Sequence, residues 1–422
     1  MKIVVIGSGL IGLTTAYFLR RRGHEVTVID RQPGPGLETS FANGALLTPS
    51  MAEPWNAPGS WRLLLSSLGR SDAPMQLRLG ALPALAGWGI SFLRNARPAS
   101  FERNTLSNVR LALYSLDAME SLRVQTHLQY GRSSRGALKL FRNSPAWDQA
   151  WAAAQRLLPE GLRYRRLSRE ETLDLEPALA PIGTELTGAI HFQADETGDA
   201  YRFCTALAKH VQQQGVEFRF DTEVSSLQLG SGRVTAVRSG KEHFVADRYV
   251  VAAGSYSTPL LRGIGIRLPV RPVKGYSVTV EHAAGEESLR IPVVDDDFHA
   301  AVVPLAGAIR VAGTAEFAGY DRRPNPVRTG NLVKLLRRLL PRSQFNIEAA
   351  RPWNGLRPMS PDGVPLIGST SVGNVMVSTG HGHLGWTLAA GSARLLTDLL
   401  SAEKPSIDPA PYDPQRFGAR QR

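Results

Sequence analysis

Residues 2–30, KIVVIGSGLIGLTTAYFLRRRGHEVTVID, decide the fold. The β-branched run at 2–6 has the composition of a buried parallel strand, and EVTVID at the end is a second strand. Between them lie a glycine motif of the form GxGxxG and a helix-like segment. This order predicts a βαβ unit that binds a dinucleotide at the N-terminus of its helix.

The residues of the motif are predicted to hold the pyrophosphate: Gly7, Ser8, Gly9, Leu10, Ile11 and Gly12. Gly7 permits the tight turn, Gly9 lets the backbone approach the phosphates, and Gly12 lets the helix pack on the strand. Asp30, 18 residues after Gly12, is predicted to accept hydrogen bonds from both adenosine ribose hydroxyls, which argues against NADP. The alternative is an ordinary βα turn followed by a strand-terminal aspartate.

The next segment, RQPGPGLETSFANGALLTP (31–49), begins as a Pro/Gly loop and continues with small polar residues. Nicotinamide-binding folds do not need such a loop, whereas FAD requires donors along its ribityl chain and ring. The predicted contacts are Arg31, Glu38, Thr39, Ser40, Asn43 and Gly44. A polar loop without a ligand is the alternative.

Bulk composition indicates a folded protein of two or three domains, with 422 residues, 43% of them hydrophobic and 20% charged. The net charge of +12 raises the question of nucleic acid, but the arginines are scattered and lack interleaved aromatic residues, so no nucleic-acid partner is expected. The single cysteine, Cys204, excludes an intrachain disulfide. Without a signal-like or membrane-spanning run, the sequence predicts a cytoplasmic protein.

Motifs along the whole chain resemble the D-amino-acid oxidase superfamily of flavoproteins, and within it the bacterial D-amino acid dehydrogenase branch. The resemblance rests on GSGLIG (7–12), HEVTVIDRQPGPGLETSFANG (24–44), PWNAPG (54–59), VVAAGSYSTPLL (250–261), PVKGYS (272–277), GLRPMSPDGVPLIG (355–368) and TGHGHLGWTLAAGSA (379–393). One departure is visible at 42–45, where the family's usual ANAG reads ANGA.

The resemblance implies an α/β plus α+β fold with a discontinuous FAD-binding domain of the Rossmann-like, glutathione-reductase type and an antiparallel-sheet substrate domain. The FAD-binding domain is predicted from 1–59, 196–265 and 351–405, the substrate domain from 60–195 and 266–350, and a C-terminal tail from 406–422. Local patterns agree, because 199–215 is typical of an amphipathic helix capped by Asp199, and the apolar strand before Gly254 places that glycine at the cofactor edge.

The C-terminal segment STGHGHLGW (378–386) is predicted to approach the flavin ring through its backbone. A helix from about Trp386 to Leu400 would then direct its N-terminus at the ring. The contacts assigned to this turn are Gly380, His381, Gly382, His383, Leu384, Gly385 and Trp386. The two histidines lack a third ligand nearby, so no metal is expected.

The substrate site is predicted around Arg357, which in GLRPMSPDG lies in a segment too rich in turn formers for a helix. On a rigid loop its guanidinium would bind a carboxylate, and the resemblance implies that role for it. Tyr276 and Tyr320 are predicted as substrate hydrogen-bond partners or lids. The alternatives are a solvated arginine and core tyrosines, and Lys274 is either near the flavin or a solvated charge.

The implied reaction is FAD-dependent oxidative deamination of D-amino acids, including D-proline or D-hydroxyproline, to 2-oxo or imino acids, as in amino acid catabolism. A hydride would pass from the substrate Cα to flavin N5, with FAD bound non-covalently because Cys204 is far from the C-terminal motifs. A quinone or another acceptor would take the electrons. The alternatives are an oxygen-using oxidase of the glycine or sarcosine type and a flavin-containing RNA-modifying or RNA-binding protein.

One apolar stretch, 61–93, has basic flanks and is interrupted by glycine and proline. It is either a surface that contacts a membrane or an electron acceptor, or a set of helices packed on the substrate domain. The first interpretation predicts a peripheral protein on the inner face of the cytoplasmic membrane.

Overall fold

The computed structural model describes residues 1–60, 62, 67, 73, 75–282 and 289–417. Two large sheets dominate this part of the chain, one mostly parallel and one mostly antiparallel. The predicted combination of a parallel dinucleotide-binding sheet with an antiparallel substrate sheet is therefore confirmed.

The parallel sheet contains six strands within the described ranges, and only its edge strand β19 runs antiparallel to its neighbour β20. Its strands in spatial order are β19 (Leu366–Ser369), β20 (Val375–Thr379), β13 (Arg248–Val251), β1 (Lys2–Ile6), β2 (Glu25–Ile29) and β9 (Glu217–Arg219). Three helices pack beside it and share one core: α1 (Leu10–Arg21), α6 (Ala200–Gln213) and α9 (Ala389–Leu400). Asp199 caps α6 as predicted, since its carboxylate accepts from the Arg202 amide.

The second large sheet is mostly antiparallel. Its strands in spatial order are β18 (Arg351–Met359), β14 (Arg271–Glu281), β17 (Ala308–Phe317), β16 (Ala300–Leu305), β15 (Val293–Asp295), β5 (Ala137–Phe141), β7 (Gly188–Phe192) and β6 (Tyr164–Ser168), with β4 (Met75–Leu77) paired to β17. Only the β15–β5 and β17–β4 pairs are parallel among the strands of this sheet that the structure describes.

The remaining elements surround these two sheets. The other α-helices are α2 (Leu82–Asn95), α3 (Pro98–Thr126), α4 (Ser144–Gln155), α5 (Arg169–Leu175), α7 (Ser257–Arg262) and α8 (Pro326–Leu339). A two-stranded sheet pairs β3 (Leu46–Leu47) with β8 (Glu196–Thr197). A three-stranded sheet contains, in spatial order, β10 (Ser226–Gly230), β11 (Arg233–Ser239) and β12 (Glu242–Phe244). Short 3-10 helices cover Pro49–Met51, Leu79–Ala81, Leu158–Glu160, Pro177–Glu185, Gly254–Tyr256, Gly382–Leu384, Ala410–Tyr412 and Pro414–Phe417.

Two local predictions differ from the structure near the C-terminus. Arg357 was expected on a loop, but it lies on strand β18 and is paired with Val273 of β14. The helix expected from about Trp386 begins at Ala389, because the glycine-rich turn first forms a 3-10 helix. Strand β18 belongs to the antiparallel sheet, although 351–405 was assigned to the FAD-binding domain; the domain boundaries themselves remain a prediction.

Candidate active site

A cavity of about 1780 Å³ lies between the two large sheets and brings together most of the predicted site residues. Those that line it are Gly7, Gly9, Leu10, Ile11, Asp30, Arg31, Glu38, Thr39, Ser40, Asn43, Gly44, Gly254, Tyr276, Arg357, His381, Gly382, His383, Gly385 and Trp386. The predicted residues outside the lining are Ser8, Gly12, Gly380, Leu384 and Tyr320.

The GxGxxG turn has the geometry that a pyrophosphate site needs. Gly7 has a φ of +110°, which favours glycine, and a Cβ on Gly12 would lie 1.8 Å from the Gly7 carbonyl oxygen. Gly9 is the N-cap of α1 and provides no side-chain cap; the Leu10 amide donates to the Ser40 hydroxyl, and Ile11, the next residue of the helix, lines the cavity. Gly12 therefore allows α1 to pack closely against the Gly7 carbonyl and does not itself line the cavity.

Asp30, at the end of β2, also organises the turn. Its Oδ2 accepts from both the amide and the hydroxyl of Ser8, at 2.6 and 2.7 Å, and its Oδ1 accepts from the Gln32 amide. Ser8 thus contacts Asp30 and lies outside the cavity lining. Oδ2 thus has both lone pairs engaged, whereas Oδ1 retains one acceptor site, which is compatible with a hydrogen bond from a ribose hydroxyl.

The polar loop after Asp30 is held by its own side chains. Arg31 binds Glu38 at 2.6 Å and stacks over the ring of Tyr256, 3.8 Å from its centroid. The Ser40 hydroxyl accepts from the Leu10 amide at 3.1 Å, and the Thr39 hydroxyl donates to the Leu356 carbonyl at 2.9 Å. The loop is therefore held by helix α1 on one side and by strand β18 of the antiparallel sheet on the other.

Asn43 and its neighbours form a sharp turn at the inner end of this loop. The Asn43 side chain accepts from the amide of Ala45, which has a φ of +56°. In the ANGA order found here, the left-handed conformation thus falls on an alanine, and Gly44 does not need it.

The two histidines of the C-terminal turn point to different partners. His381 bonds Ser392 at 3.0 Å, whereas His383 stacks on Trp55 with ring centroids 5.1 Å apart. Burial lowers the pKa of each to about 3, so both imidazoles are neutral at ordinary pH. Among the described residues, no three histidine, cysteine, aspartate or glutamate side chains come together as metal ligands.

Arg357 carries an uncompensated positive charge at the centre of the cavity. Its Nη1 donates to the Thr314 carbonyl at 3.2 Å, and its Cζ lies 5.3 Å from the Trp55 ring centroid. In the part of the chain that the structure describes, it forms no salt bridge, and burial lowers its pKa to about 10. A half-buried guanidinium with open donors in a cavity is a site for an anion.

Glycines on two strands create the space for this arginine. A Cβ at Gly275 would lie 2.0 Å from Nη1 of Arg357, and one at Gly355 would lie 2.2 Å from the Trp353 ring. The Arg357 side chain can therefore lie across β14 at Gly275, and the Trp353 ring can lie over Gly355 of its own strand. This packing explains why a turn-rich sequence forms a strand here.

Thr314 is a site residue that the sequence did not reveal. The β14–β17 register shifts between Gly275 and Tyr276, whose partners are Ala315 and Gly313, so Thr314 is the extra residue of a β-bulge. Its φ is +58°, rare for a β-branched residue, and its buried hydroxyl has no hydrogen-bond partner among the described residues. Thr314 lines the cavity beside Arg357.

Tyr276 and Lys274 meet at a buried carboxylate. The Tyr276 hydroxyl donates to Glu316, and Lys274 Nζ lies 3.4 Å from the same carboxylate, with Arg78 on its other oxygen. Burial alone would raise the pKa of Glu316, but these donors hold that pKa below its usual value. Lys274 is fully buried, so it is not a solvated charge, and the Tyr276 ring lines the cavity while its hydroxyl is engaged by Glu316.

Tyr320 lies behind the cavity wall. Its hydroxyl donates to the Ser255 carbonyl at 2.9 Å, and its ring is 5.6 Å from that of Tyr256. Ser255 and Tyr256 line the cavity. Tyr320 thus supports the wall through Ser255 and Tyr256, and its predicted role as a substrate hydrogen-bond partner or lid remains a prediction.

Comparison with known proteins identifies the family. The model of the DAO family, described as FAD dependent oxidoreductase, matches residues 2–399. A D-amino acid dehydrogenase of Paramagnetospirillum magneticum is 42% identical over 408 residues, 96% of each chain. A D-amino acid dehydrogenase of Cereibacter sphaeroides is 41% identical over 422 residues, 100% of this chain and 97% of its own.

Solved structures agree at the level of the fold. The L-proline dehydrogenase of P. horikoshii has a TM-score of 0.77 at 19% identity and covers 99% of this chain and 97% of its own. The glycine oxidase of Geobacillus kaustophilus has a TM-score of 0.74 at 24% identity, with 98% of each chain covered. The resemblance inferred from the sequence motifs is confirmed.

Proposed function

This chain belongs to the DAO family of FAD-dependent oxidoreductases, and we propose that it is a dehydrogenase that oxidatively deaminates D-amino acids. Relatives that match it over nearly their full length are named D-amino acid dehydrogenases. The observation that carries the proposal is Arg357, a half-buried guanidinium without a salt-bridge partner among the described residues, in the cavity between the two sheets.

The cofactor residues fit FAD. The glycine turn at the N-terminus of α1 suits the pyrophosphate, Asp30 suits the ribose, and the loop through Asn43 and the turn through Gly382 suit the ribityl chain and the ring. When bound, FAD accepts a hydride from the substrate Cα at N5. Binding is non-covalent, because Cys204 is fully buried in α6 and outside the cavity lining.

Arg357 binds the α-carboxylate of the substrate. Because the guanidinium is already desolvated and held by the Thr314 carbonyl, little further ordering is needed when the anion arrives. The Thr314 hydroxyl, unsatisfied and on the same wall, donates a second hydrogen bond to the carboxylate. Together the two groups fix which face of the substrate Cα is presented for oxidation.

The substrate amine reacts as the neutral base. Neither His381 nor His383 is a proton acceptor near neutral pH, since burial holds the pKa of both at about 3. The amine therefore loses its proton to another group or to solvent, and its electrons then favour the imine. Water hydrolyses this imine to a 2-oxo acid and ammonia, while a cyclic substrate such as D-proline leaves as the imino acid.

The electron acceptor is a membrane quinone, reached by peripheral attachment of the protein. Support comes from α2, on which Leu82, Ile90 and Leu93 are 42%, 55% and 46% exposed and share one face at helical spacing. Arg94 and Arg97 follow them at the end of the helix. Much of the first half of the stretch 61–93 lies outside the described residues. Among the described helices, none combines the length and apolar character needed to cross a bilayer.

An anaerobic experiment tests the activity. The FAD-loaded protein is mixed with a panel of D- and L-amino acids that includes proline and hydroxyproline, and bleaching of the flavin absorbance is followed. We expect reduction by D-amino acids and not by their L-enantiomers. If no D-amino or imino acid bleaches the flavin, the proposed function is wrong.

Arg357→Ala tests the role of the guanidinium in the same assay. We expect the variant to retain FAD and to bind D-alanine about 100-fold more weakly, because it loses a charge-assisted hydrogen-bond pair. Arg357→Lys, which keeps the charge without the planar donor pair, should recover only part of the affinity. Loss of FAD with unchanged affinity for D-alanine would refute the role.

A further inference from the structure

His383 presents ring nitrogens to the cavity that no group of the described residues engages. It lines the cavity on the glycine-rich turn after β20 and is half-buried. Neither ring nitrogen forms a hydrogen bond within the described ranges, and neither belongs to the fully enclosed polar atoms that lack a partner there. Both nitrogens therefore keep accessible surface. In contrast, His381 of the same turn is buried and bonds Ser392 at 3.0 Å.

Aromatic stacking fixes the position of the His383 ring beside Arg357. The His383 ring lies 5.1 Å from the Trp55 ring, centroid to centroid, at an interplanar angle of 16°. The guanidinium carbon of Arg357 lies 5.3 Å from the same Trp55 centroid. Burial lowers the pKa of His383 to about 3, and the charge of Arg357 lowers it further. His383 and the predicted carboxylate site are therefore neighbours of one indole ring.

Both members of the stacked pair lie on backbone that the fold holds in place. Next to Trp55, the Asn56 side chain donates to the Pro361 carbonyl at 3.1 Å. Next to His383, the Leu384 amide donates to the His381 carbonyl at 3.0 Å within a 3-10 helix. The imidazole is thus preorganised, as recognition of a small ligand requires.

The neutral ring of His383 favours one kind of ligand group. A neutral imidazole has one N–H donor and one acceptor nitrogen. Leaving these groups unpaired is costly once a ligand excludes water from the cavity. A hydroxyl group both donates and accepts, so it pairs with a ring nitrogen in either tautomer of the histidine. A methyl group of similar size pairs with neither nitrogen.

We propose that His383 determines substrate specificity by hydrogen-bonding a hydroxyl group of the substrate side chain, so that hydroxyl-bearing D-amino acids are preferred over their methyl-bearing isosteres. The inference rests on the proposed function, because it takes the α-carboxylate to lie on Arg357. The substrate Cβ is two bonds, about 2.5 Å, from the carboxylate carbon. The side chain therefore begins in the part of the cavity that Trp55 and His383 border.

His383→Phe tests the contact and keeps an aromatic ring against Trp55. The measurement is kcat/KM with a water-soluble electron acceptor for two isosteric pairs, D-serine with D-2-aminobutyrate and D-homoserine with D-norvaline. In the wild type we expect the hydroxyl-bearing member of at least one pair to be preferred. In His383→Phe this preference should fall about 10-fold, the typical cost of one unpaired polar group. Comparison of variants within a pair cancels the intrinsic reactivity of the two substrates.

Two further variants at this position and one elsewhere serve as controls. His383→Leu, which is smaller and equally unable to form the hydrogen bond, should show the same fall as His383→Phe. His383→Asn, which keeps a donor and an acceptor without the stacked ring, should retain more of the preference. His243→Phe makes the same exchange at an exposed position of β12 and should leave the preference unchanged. Flavin absorbance measures the FAD content of each variant.

Three results separate this proposal from its alternatives. Absence of any preference in the wild type, or a preference that survives in both His383→Phe and His383→Leu, overturns the proposal. An equal fall for both members of a pair, with a shifted flavin spectrum, would assign the ring nitrogens to the cofactor and overturn it as well. Failure of every D-amino acid to bleach the wild-type flavin refutes the proposed function instead.

Discussion

Thr314 illustrates how one residue shapes this site through its backbone. A β-branched residue at a φ of +58° is strained, and the strain persists because β17 pairs with β14 on one side and β16 on the other, while Arg357 donates to the Thr314 carbonyl. The Thr314 hydroxyl is buried and has no hydrogen-bond partner among the described residues. We interpret the strain as the cost of placing a second carboxylate donor beside Arg357.

Thr314→Val removes the hydroxyl and keeps the β-branched shape. We expect the dissociation constant for D-alanine to increase about tenfold, the typical effect of losing one hydrogen bond to a charged group, with FAD content unchanged. Thr314→Ser, which keeps the hydroxyl, should remain within about twofold of the wild type. Titration of the flavin spectrum with D-alanine under anaerobic conditions measures both; equal weakening in the two variants would exclude the hydroxyl as a ligand.

Single residues also show how far the sequence could predict the site. The glycines of the turn and Asp30 were predictable because their roles depend on neighbours in sequence and on a helix N-terminus that follows directly. Thr314 was not, because an ordinary β-run contains no signal for a bulge. Its place in the site arises only when β14, β17 and β18 come together at the cavity.

At the scale of elements, the approach of α1 to β1 determines whether the pyrophosphate site exists. Helix α1 packs between α6 and α9, and its first turn crosses the Gly7 carbonyl so closely that only glycine fits at position 12. This arrangement was predictable from the motif. Strand β18 was not, because its sequence favours turns locally and its strand conformation depends on pairing with β14.

Gly12→Ala tests the packing of this element. A Cβ 1.8 Å from the Gly7 oxygen forces α1 away from β1, so we expect loss of bound FAD and a decrease in unfolding free energy of about 3 kcal/mol. The matched control is Gly89→Ala within α2, where the added Cβ meets no atom within 4 Å. It should retain FAD and gain about 0.5 to 1 kcal/mol. Flavin-to-protein absorbance and thermal melts report both, and a Gly12→Ala protein with full FAD content would contradict the role.

At the scale of the whole molecule, the two sheets divide the work. The parallel sheet presents the carboxyl ends of β1 and β2 to one end of the cavity, and the antiparallel sheet forms a wall on which Arg357 of β18 and Thr314 of β17 lie on either side of β14. The fold class was predictable because the motifs of both ends of the chain point to the same cavity. Which strands of the antiparallel sheet line the cavity was not predictable, because this depends on the spatial order of the strands and not on any one segment of the sequence.

The exposed face of α2 leads to the last prediction, which concerns attachment to a membrane. Leu82, Ile90 and Leu93 present an apolar face beside arginines on a chain with a net charge of +12. Such a surface binds anionic bilayers through both apolar burial and charge. Ile90→Asp combined with Leu93→Asp should therefore abolish co-sedimentation with phosphatidylglycerol-containing vesicles and slow electron transfer to vesicle-embedded quinone. Oxidation of D-alanine with a water-soluble acceptor should be unchanged, because the cavity is not altered.

The matched control places the same two charges on another apolar part of the surface. Leu229 and Val245 are 49% and 72% exposed and lie on or next to the small three-stranded sheet, so Leu229→Asp with Val245→Asp changes net charge and hydrophobicity equally. If α2 is the attachment surface, this control sediments with vesicles as the wild type does. Equal loss of sedimentation in both double variants would mean that net charge, and not the α2 face, determines attachment, and wild-type protein that never sediments would exclude membrane attachment by α2 altogether.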